Sequence, residues 1–484
     1  MSLSFLLAAL LLLTAPLQGR EPDSGDASAR AATRAFSDAL ARGLDATTLL
    51  TLRDLAAHDH PTSVDMLLDV LADASPSLRP SARRVLAAYQ RPDSLERIQR
   101  QGLDHRDGEV RAQVLMALAA GRPPGVDWVG ACYLALDDEY PEVRAVAISA
   151  LGRAREQGAL KHVIESVGDE AERVRAASAG ALVRLAQRRA LPLLDQLAED
   201  SAWRVRLAVV RALRELKTRG GVELLVDMLA REPGRLREDV ILSLVRLTGR
   251  NYGNHAKAWS AFLAQAPDDY LAEGDARAMA PVAGSTQTVA KYYGLSSQST
   301  RFAVVTDLST SMDHVDEGRY KDSARRSRLE VTQTELGKLL GGLDASVSVN
   351  LLTFSDGVEA WSSTLVPLDK RQRERALREV QGYRTRGGTN VFAALERVFD
   401  LAEASIDTPG QADAAPDTIF LLTDGAPSVG PMRDVELLLE YAAERNRRAA
   451  LRFHCVILTK DRLAVSFLGQ LAQASGGESV AVLK

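Results

Sequence analysis

The sequence predicts a multidomain chain, with an all-α solenoid first and then an open α/β domain built on a mostly parallel sheet. Three observations predict it. A Val-Arg or Leu-Arg pair recurs at a near-constant interval through the first half. Apolar runs alternate with amphipathic stretches through the last third. Asp, Ser and Thr gather where those apolar runs stop. At 484 residues, with 46% hydrophobic and 26% charged residues, the chain is long enough for two or more domains of ordinary soluble composition.

Residues 1–19 are read as an export signal: an apolar core over residues 5–13, too short to span a bilayer comfortably, with Gly19 as a small residue before a cut. No Lys or Arg precedes that core, so an uncleaved tether or a misplaced start stays open. No later stretch reads as transmembrane. The expected location is periplasmic or extracellular. A polar stretch, 20–35, follows.

The solenoid is expected over residues 36–262. The pairs are Leu78-Arg79, Val110-Arg111, Val143-Arg144, Val174-Arg175, Val205-Arg206 and Leu236-Arg237, at steps of 32, 33, 31, 31 and 31 residues. Behind each runs a helical stripe. Val205, Ala208, Val209, Ala212, Leu213 and Leu216 share one face, and a second apolar helix precedes each pair. Paired helices at a fixed period mean stacked repeats. The period resembles the bacterial HEAT-like repeats of the lyase type, a resemblance that implies a binding scaffold and no lyase chemistry. Asp138, Asp169 and Asp200 each precede the pair's Val by five residues. They are expected to bond helix N-termini or the Arg of an adjacent repeat. Trp259, on a short amphipathic helix, is expected to cap the array. Residues 263–298, rich in Ala, Gly, Asp and Ser, read as a linker.

From 299 to 484 strands are expected at 302–306, 347–354, 360–366, 418–423, 452–458 and 479–482. Helices are expected at 327–340, 370–381, 391–404, 432–446 and 464–474. Continuous apolar runs such as Ile419-Phe-Leu-Leu are what a parallel sheet covered on both faces demands. The domain is therefore Rossmann-like. In such a sheet the strand ends converge on one crevice. Asp307, Ser309 and Ser311 lie just after the first strand, Thr389 in the loop Arg386-Gly-Gly-Thr-Asn, and Asp424 after the run 418–423. Three hydroxyls and two carboxylates brought together there make an oxygen-only site for a hard cation.

The strings Asp307-Leu-Ser309-Thr-Ser311, Gly388-Thr389 and Thr423-Asp424-Gly425 resemble, in this order, the metal-ion-dependent adhesion site (MIDAS) of von Willebrand factor A (VWA) domains. The resemblance covers nearly the whole of 299–484. It implies that the three hydroxyls touch the metal directly while Asp307 and Asp424 act largely through waters. A cation so held stays under-neutralised and seeks a partner's Asp or Glu. Mg2+ is the favoured ion, with Mn2+ or Ca2+ also admissible. Thr310 stands where the family commonly has Gly, a position that has to clear the loop. Gly387, Gly388 and Gly425 are expected to permit close backbone approach. The polar loop 313–327 beside the site either shapes partner choice or is a solvated insertion.

The net charge of −4 argues against a nucleic-acid binder. The two cysteines, Cys132 and Cys455, fall in different domains, which excludes a disulfide framework, and both read as buried thiols. His58 and His60 read as surface residues. No G-x-S-x-G, phosphate-binding loop or His-rich cluster points to an enzyme. The favoured reading is an exported bacterial interaction protein that binds a protein's acidic side chain through the metal, with a possible second protein on the solenoid. The alternatives are a cytoplasmic assembly or chaperone factor working with a partner ATPase and, behind it, a metal-dependent hydrolase.

Overall fold

A computed structural model describes residues 24–72, 77–267, 289–316, 326–406, 408 and 414–482. The signal expected at 1–19 and much of the linker lie outside these residues. The first helix, Ser24–Arg42, begins upstream of the expected start of the solenoid at 36. Its apolar stripe is Ala29, Ala32, Phe36 and Ala39, all buried. Small alanines among polar neighbours hid that stripe.

The second helices of the repeats run as α1 (Arg79–Ala88), α2 (Gly108–Gly121), α3 (Pro141–Ala154), α4 (Glu172–Ala186), α5 (Trp203–Leu216) and α6 (Gly234–Thr248). The expected aspartate ladder is present and does both jobs. Arg111 grips Asp138, Arg144 grips Asp169 and Arg175 grips Asp200, each through two hydrogen bonds of 2.6–3.0 Å. The same carboxylates accept the backbone N–H of Tyr140, Ala171 and Ala202 at the mouths of the helices. Arg206 finds Glu232 in place of the next Asp. Such forked pairs fix the rotation of one repeat on the next. Trp259 is fully buried and donates its indole N–H to the Gly253 carbonyl, closing the array against Tyr252 and Phe262.

A short hairpin, β1 (Ala290–Tyr292) and β2 (Leu295–Ser297), lies within the stretch read as a linker. Its turn, Tyr293-Gly294, has both φ angles positive. The main sheet comprises β3 (Arg301–Asp307), β4 (Ser348–Phe354), β5 (Val358–Ala360), β6 (Val366–Pro367), β7 (Thr418–Thr423), β8 (Arg452–Ile457) and β9 (Ser479–Ala481). Its order is β5-β4-β3-β7-β8-β9, with β6 also paired to β4. β4, β3, β7, β8 and β9 are mutually parallel, and β5 and β6 are antiparallel. The run expected as one strand at 360–366 is thus two short edge strands. Helices α7 (Arg328–Gly342), α8 (Lys370–Gln381), α9 (Val391–Glu403), α10 (Val435–Ala449) and α11 (Arg462–Ser475) cover the two faces. Both cysteines are buried free thiols, and burial pushes the Cys132 thiol up to about 12. Among the described residues no helix is long and apolar enough to cross a membrane.

The solenoid's second helices face the chain's own α/β domain, so the surface expected to hold a partner is occupied from within. Apolar side chains of the first repeats and of one sheet face, Leu67 and Val85 with Phe392, Leu438 and Tyr441 among them, form one continuous core. Above it α10 lays charges along the repeats. Glu440 accepts from Arg53 and Ser81 and pairs with Arg84, and Glu444 accepts from Arg83 and Gln113. Arg447 donates to Glu142, and Arg448 pairs with Glu109. At the far end Arg204 donates to the Ala402 and Ala449 carbonyls, and Arg235 to those of Asp417 and Ala450. Burial pushes Arg235 down to about 10.

Arg235→Ala would strand the Ala450 carbonyl in a dry interface, while the Asp417 carbonyl keeps the Arg452 N–H and Asp239 keeps the Arg452 guanidinium. Losing a buried charge-assisted hydrogen bond costs about 1.5–3 kcal/mol. The full chain is expected to melt as one unit by calorimetry and the variant as two separable transitions. Arg235→Lys should not restore the single melt, because an ammonium on a shorter stem loses the Nε contact to Asp239 and the planar contact over Trp203.

Candidate functional site

The site forms at the carboxyl ends of β3 and β7. Strand β3 ends in Asp307, which is fully buried. One of its oxygens accepts the Ser309 backbone N–H at 2.7 Å and the other accepts the Thr423 hydroxyl at 2.5 Å. The carboxylate therefore ties the turn after β3 to the end of β7. Ser309 Oγ lies 3.0 Å from Ser311 Oγ, and Ser311 donates to Asp424 Oδ1 at 2.7 Å. Four of the five expected residues are linked in one hydrogen-bonded chain.

Thr389 is the fifth. It is buried, and its loop is stitched to both neighbours. The Leu308 carbonyl accepts from the Arg386 N–H at 2.7 Å. Thr310 donates both its backbone N–H and its hydroxyl to the Gly387 carbonyl, at 3.1 and 3.2 Å. The residue expected only to clear the loop thus clamps it. Gly387 adopts φ +60°, and a Cβ there would sit 2.4 Å from Asp356 Oδ2. The expected role of Gly425 does not hold in the same way: a Cβ there would meet Thr389 Oγ1 at 3.6 Å, an ordinary contact. That spacing also places the Thr389 hydroxyl beside Gly425, the residue after Asp424.

Sequence reasoning missed Arg328. It stands at the first turn of α7 and donates to Asp424 Oδ2 at 2.7 Å while its other nitrogens hold Asp316 at 2.7 and 3.1 Å. Desolvation works against its charge, but the bonds to Asp316 and Asp424 outweigh it and raise its pKa. Asp316 belongs to the polar loop after Ser311, of which 317–325 lie outside the described residues. The only signal available was an arginine returning at the capping box that starts the next helix, Ser327 with Glu330.

Burial pushes the Asp307 carboxyl up to about 6, Asp424 adding to the rise, while the bonds from Ser309 and Thr423 oppose it. Among the described residues no group of three or more His, Cys, Asp or Glu is placed to hold a metal. Any ion here would depend on hydroxyls. The donor set fits a small hard cation, because adjacent oxygens around metal–oxygen bonds of about 2.1 Å in an octahedron lie roughly 3.0 Å apart. The 3.0 Å between the Ser309 and Ser311 hydroxyls matches that edge.

In comparisons with known proteins, residues 302–426 match the von Willebrand factor type A domain, and residues 100–182, 130–201 and 169–245 match HEAT repeats. The chain carries HEAT repeats followed by a VWA domain. It is 28% identical over 131 residues to von Willebrand factor A domain-containing protein 3A of Homo sapiens, covering 27% of this chain and 10% of that protein. It is 30% identical over 103 residues to inter-alpha-trypsin inhibitor heavy chain H4 of Homo sapiens, covering 21% of this chain and 11% of that protein. The chain therefore spans about a tenth of the length of these relatives. Among solved structures, the PilB minor pilin from Streptococcus sanguinis aligns with 38% of this chain and 57% of its own at 18% identity, with a TM-score of 0.29. VWA domains and HEAT repeats are chiefly non-catalytic interaction modules, which gives the chain a protein-interaction character.

Because the folded pKa of Asp307 lies above its ordinary value of 3.8, ionising it opposes folding. The stability it permits is complete below about pH 4 and lost as pH rises to about 6. The loss is on the order of 3 kcal/mol, at about 1.4 kcal/mol per pH unit. In chelator, Asp307→Asn is expected to melt above the parent at pH 7.5 and level with it at pH 4. Equal melting at both values would contradict this.

Proposed function

We propose that this protein binds a protein partner by holding a divalent cation, Mg2+ foremost, at the crest of its VWA domain and presenting it to a partner's Asp or Glu. Ser309, Ser311 and Thr389 would touch the ion, with Asp307 and Asp424 behind them. The observation that carries the reading is the run Asp307, Ser309, Ser311 and Asp424, bonded in series across two strand ends with the Thr389 loop stitched over it. Bound there, the ion supplies an electrophilic position for an anionic oxygen.

Arg328 sharpens this. It draws on the Asp424 charge from the side away from Ser311, so that carboxylate donates less to the ion. Neutral hydroxyls then dominate the inner set and the ion keeps its appetite for an external carboxylate. Export is part of the proposal, supported by the apolar run at 5–13. The HEAT repeats hold the VWA domain through their inner surface, so a second partner would meet their outer helices.

Calorimetry on the full chain is expected to show one Mg2+ site, absent in Asp307→Ala, with affinity falling as pH drops below about 6 and the buried carboxyl takes up its proton. Metal uptake that survives Asp307→Ala would place the ion elsewhere. In Arg328→Gln, Asp424 is released toward the ion. Mg2+ should then bind up to about tenfold tighter, roughly 1.4 kcal/mol, while a carboxylate ligand binds more weakly. Unchanged or weaker Mg2+ binding would remove the role given to Arg328.

A further inference from the structure

We propose that a basic cleft beside the metal site docks an acidic segment of the same partner, so that the cation takes one carboxylate and a strip of arginines takes its neighbours. The proposal deepens the metal–carboxylate reading and rests on it only for the position of the first carboxylate.

The cleft has a volume of about 810 Å3 and lies between the edge strand β5, the C-terminal half of α8 and the loop that leads into Gly387. Its inner end is Leu308, the residue between Asp307 and Ser309, so cleft and site share a wall. Arg386, also in that wall, is tied by its backbone N–H to the Leu308 carbonyl. One end of the strip is therefore held to the turn that carries the candidate ligands.

Arg375, Arg378, Arg384 and Arg386 line the cleft and come from one basic segment. Residues 370–386 read KRQRERALREVQGYRTR, with seven cations against two glutamates, a net +5 in a chain whose total is −4. The remaining residues therefore sum to −9. The arginines of the repeat ladder are matched to carboxylates. In the cleft only Arg386 is, through Glu359 at 2.7 Å. Exposed Arg378 makes no ion pair among the described residues. Arg375 lies over the Trp361 ring at 5.5 Å and bonds only Gln372, and Arg384 bonds the Gln381 and Tyr383 carbonyls. Three guanidinium groups thus face the cleft without a carboxylate, and such groups recognise carboxylates through two parallel bonds.

The cleft's composition favours a peptide over a continuous polyanion. Glu359 and Glu379 interrupt the positive wall, which repels an unbroken run of sulfates or phosphates and tolerates carboxylates spaced along a chain. Trp361 and Tyr383 add the aromatic surface that peptide contacts use.

The test uses the full chain with Mg2+ and a fluorescent twelve-residue peptide of alternating Asp and Gly containing one Tyr, read by anisotropy, with its Asn counterpart as control. Arg375→Glu with Arg378→Glu is expected to weaken the Asp peptide at least tenfold, leaving Mg2+ calorimetry and the melting temperature unchanged. Asp307→Ala should abolish the Mg2+-dependent part and leave a weak, salt-sensitive remainder. Binding that needs no Mg2+ but is still lost in the double variant would sink the metal reading and keep the cleft. Unaltered peptide affinity in the double variant would overturn the cleft, as would heparin or single-stranded DNA displacing the peptide at a tenth of the concentration of unlabelled peptide.

Discussion

Everything in this molecule hangs on a seam of buried guanidinium groups where the last repeats meet the amino ends of the central strands. Arg204, Arg235 and Arg301 surround the Trp203 ring at 5.0–5.5 Å. Arg452, opening β8, turns to Glu238 and Asp239 on α6. Arg235 and Arg452 are 2% exposed, where a lone charge would be untenable. Arginine survives there because its charge is spread over a plane and its donors can be satisfied by carbonyls as well as carboxylates. The carbonyls in question, Asp417 and Ala450, lie just before β7 and β8. The seam thus grips the sheet at the amino ends of its strands. The carboxyl ends, roughly 20 Å away along strands of seven residues, carry the candidate metal site.

The architecture was legible because both halves write their period into the chain. The Val-Arg pairs and their aspartates predicted the repeats, the ladder and the cap by Trp259, since those contacts lie within one or two repeats. Apolar runs gave five of the strands nearly to the residue. The domain interface was not legible. Glu440, Glu444, Arg447 and Arg448 on α10 have the spacing of an ordinary solvated face, yet Glu444 is 6% exposed. Their partners lie more than three hundred residues away, and nothing local distinguishes a charge that meets water from one that meets another domain. The HEAT helices carry the matching hint, a glutamate beside the first turn at Glu109, Glu142 and Glu172, but such residues are also favoured there by the helix dipole.

The site divides in the same way. Asp307, Ser309, Ser311, Thr389 and Asp424 could be found because each sits at a strand or loop end whose position the fold dictates. Arg328 could not, because its approach to Asp424 depends on how a polar loop returns to α7. Its effect is electrostatic. Asp424 is shared between a hydroxyl on one oxygen and a guanidinium on the other, and Asp307 is shared between a backbone N–H and a hydroxyl. Neither carboxylate is free to neutralise a cation alone. The chain is acidic in sum, yet Arg375, Arg378 and Arg384 line the cleft beside these residues.

A buried charged interface between two domains is poor value as stability, since apolar residues of similar volume often serve as well or better. Its use here is register. A solenoid offers nearly the same surface every 31–33 residues, and an apolar helix laid across it could slide by one repeat at small cost. With charges it cannot. The Val-Arg spacing makes Leu115 the equivalent of Arg83 and Val146 the equivalent of Gln113. A slide of one repeat would move Glu444 from its arginine and amide onto two buried apolar side chains. An unpaired buried carboxylate is among the costliest things a protein can hold. The α10 charges therefore select one seating out of several similar ones, with the candidate site at the opposite ends of the strands from the seam.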